Sequence, residues 1–233
     1  MKKILFILVI LFVFSNAKGT HLMGGEITWE CIKDPSSPDV GKYIFKMKLY
    51  RDCDGTTLST FAQTLNVWNH PSVTQITLNW TVSTDISPNC DVLNSGNAAL
   101  DCATNPVGAV EEYLYESQPV SLPGVPPANG WHFTWDSCCR NGAVTNLVLS
   151  STTSPSEGFT LRASMYPYLD ASGNPVDAEP CFDNSPKFNE SPQTIICTGY
   201  PFSYTHNASD IELDSIVYNW DNPMDDMTFG MAY

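Results

Sequence analysis

The chain reads as an all-β protein, an antiparallel β-sandwich of Ig-like or jelly-roll-like type stapled by disulfides. Three observations predict this. Apolar and polar residues alternate with a period of two in one segment after another, and no long segment carries the 3.6-residue apolar period of a helix. Only 15% of residues are charged, while Thr, Ser, Asn, Pro, Gly and aromatics are plentiful. All 8 cysteines lie downstream of what reads as an export signal.

That signal occupies residues 1–17. Lys2 and Lys3 form a charged start, Ile4 to Phe14 is an unbroken apolar run, and Ser15-Asn16-Ala17 is a small-residue cleavage site. The run is short for a bilayer span, and no second apolar segment of spanning length follows. The expected product is secreted or displayed on the extracellular cell surface, with no integral membrane segment after signal cleavage.

The sandwich domain is expected from 18 to 175. Gly25 to Glu30 reads as a strand with Ile27 and Trp29 inward. Lys42 to Tyr50 alternates clearly, Tyr43, Phe45, Met47 and Leu49 on one face and Lys46 and Lys48 on the other. Arg51 to Gly55 is a turn, and Phe61 to Trp68 a further strand. Ile76, Leu78, Trp80 and Val82 then define another dry face. Ser87 to Gly108 is turn-rich and carries two cysteines, as a stapled loop would. Val110 to Ser117 is a strand, and a Pro-rich connection leads into Trp131 to Asp136. There Trp131, Phe133 and Trp135 face a core and His132, Thr134 and Asp136 face away. Val144 to Ser150 and Phe159 to Tyr166 complete the run. The turn Asp170 to Pro175 is a candidate boundary. Residues 176–233 are too few for a second sandwich of about 100 residues, so they read as the incomplete start of an Ig- or cadherin-like unit, with strands at Gln193–Cys197 and Ser215–Tyr218.

The cysteines are Cys31, Cys53, Cys90, Cys102, Cys138, Cys139, Cys181 and Cys197. Eight cysteines allow 105 pairings, and spacing alone does not choose among them. Short separations favour Cys90–Cys102 and Cys181–Cys197, leaving Cys31 and Cys53 for Cys138 and Cys139. The last two are adjacent, and a bond between neighbours strains the ring it closes. Each is therefore expected to reach a different partner, making this point on a core strand a covalent knot. A reactive dithiol or metal site is the alternative, with no Cys-x-x-Cys spacing to accompany it.

A formal charge of -14 with no basic cluster argues against nucleic acid as a partner. It suits divalent cations. Asp210, Glu212 and Asp214 alternate along one loop and are the candidate calcium ligands, with Asp183 or Asp221 and main-chain carbonyls to complete the 6–8 oxygens the ion takes. A solvated acidic turn is the competing explanation. No nucleophile elbow and no zinc-helix motif occurs, and the four histidines are scattered, so no catalytic residue is assigned and the chain is read as a non-enzyme.

Thr20-His21-Leu22-Met23-Gly24-Gly25-Glu26-Ile27, Lys48-Leu49-Tyr50-Arg51-Asp52-Cys53, Ser137-Cys138-Cys139-Arg140-Asn141 and Ser185-Pro186-Lys187-Phe188 occur in this order. Together they resemble the N-terminal region of very large surface proteins of gliding Bacteroidetes, described as gliding-motility-associated or adhesin-like. The resemblance runs from about His21 to Tyr218. It implies Ig-, cadherin- or PKD-type repeats, a type IX secretion signal further along, and roles in surface display and adhesion. Asp210 to Tyr218 resembles the acidic loop and strand that begin a cadherin-like repeat, except that Glu212-Leu213 stands where Asp-Gly is usual. The functional expectation is a non-catalytic structural or adhesive module. Its partners would be neighbouring domains of the same or a longer polypeptide and surface glycans or proteins. A secreted carbohydrate-binding module and part of a secreted hydrolase are the alternatives.

Overall fold

A computed structural model describes residues 22–88, 99–137, 140–141, 158–175, 180–181, 183–191, 201 and 203–224. Among these residues nine strands follow one another: β1 (Leu22–Cys31), β2 (Tyr43–Asp52), β3 (Gln63–Trp68), β4 (Gln75–Asp85), β5 (Val110–Ser117), β6 (Trp131–Ser137), β7 (Phe159–Met165), β8 (Lys187–Phe188) and β9 (Ala208–Ser209). The all-β, antiparallel expectation holds, and none of the described residues is helical. No helix among them is therefore long and apolar enough to cross a membrane.

The first seven strands form one sheet in the order β1-β2-β5-β4-β3-β6-β7. The β3-β4-β5 meander is flanked by β2 beside β5 and β6 beside β3, which makes two overlapping Greek keys. The layers expected as two sheets are thus one sheet folded over its own apolar face. Phe45 on β2 and Phe133 on β6 sit far apart in strand order, yet their rings lie 4.6 Å apart, with Trp29 5.9 Å from Phe133. The end strands β1 and β7 also come together. A Cβ on Gly25 would stand 2.6 Å from the Lys48 carbonyl oxygen and 2.7 Å from Leu161 Cδ1, so only glycine allows this approach.

The period-two pattern places the core. Tyr43, Phe45, Met47 and Leu49 of β2 are buried, as are Trp131, Phe133 and Trp135 of β6. On the outer face of β2, Lys46 lies 3.2 Å from Glu30 and 3.9 Å from Glu116, and Lys48 lies 3.4 Å from both Glu26 and Glu112. These half-buried pairs give the face a charged, polar surface. Thr134, expected on the polar face of β6, is buried too, accepting a 2.9 Å hydrogen bond from Trp68 Nε1.

Two strand expectations change. In β4 the dry face stops at Leu78, while Trp80 and Val82 are 39% and 44% exposed. Pairing with β3 runs only from Gln75 to Leu78, and the ladder with β5 shifts register between Trp80 and Val82, so this end of β4 lies beyond the second layer. Ser215 to Tyr218 is not a strand. Among the described residues no strand pairs with it, its Tyr218 hydroxyl instead accepting the Ala208 amide at 2.8 Å, and only the short β8–β9 pair forms in that region. The expected strands at 144–150 and 193–197 lie outside the described residues.

The disulfide pairing also differs. Cys53 bonds Cys102 and Cys31 bonds Cys181, so neither short-range pair forms. The sheet explains the first: Asp52 pairs Val110 across β2 and β5, which brings the loop before β5 against Cys53. Chain entropy favours short loops only when the fold is silent, and here strand adjacency decides. The loops closed span 49 and 150 residues, worth about 4 and 5 kcal/mol in the chain-entropy model. Cys90, Cys138, Cys139 and Cys197 lie outside the described residues.

Candidate functional site

The second cross-link builds the site. Cys181 is tied to the end of β1, and the next residues continue along the edge of that strand. Asn184 Oδ1 accepts from the Cys31 amide at 2.7 Å. Ser185 Oγ accepts from the Trp29 amide at 2.8 Å, and the Ser185 amide donates to the Trp29 carbonyl at 3.1 Å. Gly41, at φ 82°, lets the Pro180 carbonyl oxygen approach to 2.8 Å of where a Cβ would stand. Lys187 pairs with Glu30 and Lys33 with Glu212, so the following segment is held at two further points. Asp183 is fixed between these attachments.

Asp183, Asp210 and Asp214 converge, each offering a carboxylate oxygen within 4.8 Å of the others. Of the three ligands expected on the acidic loop, Asp210 and Asp214 are brought together. Glu212 is not among them: its Oε1 takes Lys33 and Asn184 instead. Asp183, expected only as a neighbour, takes its place. The loop is shaped by Asp210, whose Oδ1 accepts the Asp214 amide at 3.0 Å, and by Leu213 at φ 67°. That backbone conformation is the one an Asp-Gly turn supplies without strain.

The carboxylates are crowded. Burial first, then the charges of Glu212, Asp210 and Asp214, push the Asp183 carboxyl up to about 6. Burial works to raise the Glu212 carboxyl, but hydrogen bonds from Lys33 and Asn184 and the Lys33 charge together hold it below its usual value. Among the described residues the Asp183 and Asp214 carboxylates accept no hydrogen bond.

A cavity of about 590 Å³ opens beside them, lined by Tyr166, Tyr168 and Leu169 and by Asp183, Glu212 and Asp214. The aromatic part of the lining comes from the strap after β7, where Pro167 ends the ladder and sets both tyrosines outward, 58% and 56% exposed. A second cavity of about 280 Å³ lies between β1 and β7, and Ser164 borders both. Ser164 Oγ lies 2.7 Å from His132 Nδ1, its cross-strand partner. Burial, then the Arg162 charge, lowers the His132 pKa, while a hydrogen bond to the Asn129 main chain opposes this. Burial thus favours the neutral imidazole, with the Ser164 hydroxyl and the Asn129 main chain among its partners.

Sequence reasoning passed over Tyr166, Tyr168 and Ser164. The available signal was the Tyr-Pro-Tyr triplet, since two aromatics flanking a proline just beyond a strand cannot both be folded back into the sheet. Asp221, the other neighbour considered for calcium, stays outside the trio.

No protein-family profile, no curated protein and no solved structure matches the chain.

Proposed function

We propose that this chain is a non-catalytic structural and adhesive module, displayed on the outside of the cell. The carrying observation is the Cys31–Cys181 link with the Asn184 and Ser185 hydrogen bonds beside it, which bind Cys181, Asn184 and Ser185 onto the edge of the sheet. A scaffold cross-linked across strands and loops resists shear and proteolysis, and disulfides belong to an oxidising compartment. Loops and straps on such a scaffold are free to bind. The resemblance of the four sequence blocks to gliding-motility-associated surface proteins of Bacteroidetes supports the same role.

Neighbouring domains of the same or a longer polypeptide are the first class of partner. Ile211, Leu213, Val217 and Trp220 are 77%, 89%, 72% and 100% exposed, an apolar row that a following domain would cover. Surface proteins and glycans are the second class.

Beads carrying the oxidised chain test the proposal. They should hold to bacterial or abiotic surfaces under flow, and release after reduction. Failure to adhere, or turnover in a panel of polysaccharide and peptide substrates, would overturn the reading.

A further inference from the structure

The 590 Å³ cavity is lined by side chains of two chemical kinds. Tyr166 and Tyr168 present rings and Leu169 an aliphatic edge, all at least half exposed. Burying this surface favours any ligand with an apolar body. The same lining carries Asp183, Glu212 and Asp214, and Asp210 lies beside Asp183 and Asp214. Lys33 offsets one charge, through Glu212. Asp183, Asp210 and Asp214 form no salt bridge among the described residues, and Lys33 reaches Asp183 only through its charge. A neutral guest would leave that charge uncompensated, and an anion would add to it. A cationic head on an apolar stem satisfies both kinds, its charge against the carboxylates and its stem or edge against the tyrosine faces.

We propose that this cavity binds an organic cation, an ammonium or guanidinium group on an aliphatic stem, as carried by a lysine or arginine side chain. This names the partner chemistry of the adhesive reading and rests on it only for the origin of the cation. The cavity volume lies within the range of small-ligand sites, about 300–1,000 Å³. It holds one such side chain with room for the peptide that bears it.

Calorimetric titration of the full oxidised chain tests this with Nα-acetyl-lysine amide and Nα-acetyl-arginine amide. Nα-acetyl-norleucine amide serves as the neutral control, with methyl glucoside and calcium chloride as competing probes. The expected result is saturable binding of the two basic amides and none of the neutral one. Tyr168→Ala and Asp214→Asn should each weaken binding by roughly tenfold. Both residues are exposed, and an unchanged melting temperature will show that the variants fold. A lysine-rich peptide binding more tightly than a free polyamine would assign the cation to a protein partner, and the reverse to a polyamine. Equal binding of the neutral amide, preference for the sugar, or calcium as the sole ligand would each overturn the proposal. Lost amine binding with bead adhesion intact would sink the site alone, and the converse would sink the adhesive role alone.

Discussion

Leu213 occupies a left-handed backbone position with its side chain 89% exposed, so it holds strain and contributes almost no packing. An L-residue there costs about 1–2 kcal/mol, partly offset by the greater chain entropy of glycine. Leu213→Gly should therefore stabilise the protein by up to about 1 kcal/mol in urea denaturation. A loss of stability would show that this turn is held by something other than its backbone geometry. Asp183 gives the second residue-scale expectation. Its folded value, about 6, lies above the ordinary aspartate value of 3.8. Its contribution is thus fully present only below the lower value and is lost as pH rises through the upper one. The side chain is partly solvated, so the loss between pH 4 and 7 amounts to about 1 kcal/mol. Asp183→Asn should flatten that part of the stability profile, and a profile unchanged in the variant would exclude Asp183 as its source.

At the scale of elements, the join between Ser185 and β1 is the most informative. Ser185→Ala leaves the buried Trp29 amide without its acceptor, at a cost of about 1–3 kcal/mol by thermal denaturation. A neutral effect would mean that water replaces the hydroxyl. β2 and β6 were legible from their alternation because both layers of the fold cover their apolar faces. The end of β4 was not, since Trp80 and Val82 keep the same pattern although the neighbouring strand has ended. Periodicity records which side a residue faces and not whether anything lies there. The disulfides misled for a related reason: separation along the chain ranks loops by entropy, whereas Cys53 and Cys102 meet because β2 and β5 are neighbours. Asp210 and Asp214 were readable as a local pair. The third carboxylate reaches them only because Cys181 is tied to β1, a contact that no local pattern reports.

For the whole molecule, the two described cross-links divide the labour. Cys53–Cys102 lies within the sheet connections, and Cys31–Cys181 secures the segment that carries the acidic trio. Cys31→Ser with Cys181→Ser should free residues 180–224 for proteolysis while the seven-stranded sheet stays folded. Far-ultraviolet dichroism with a timed protease digest checks this, and unfolding of the sheet in step with the cleavage would refute it. Tension offers a different view of the same bond. A pull applied at Leu22 and Met224 runs up β1, crosses the sulfurs and leaves through Cys181, so the chain between these cysteines, 150 positions apart, never enters the stretched path. In an optical trap the oxidised chain should therefore yield roughly 500 Å less contour than the reduced one. A tether made this way would lengthen little under load for as long as its surroundings stay oxidising.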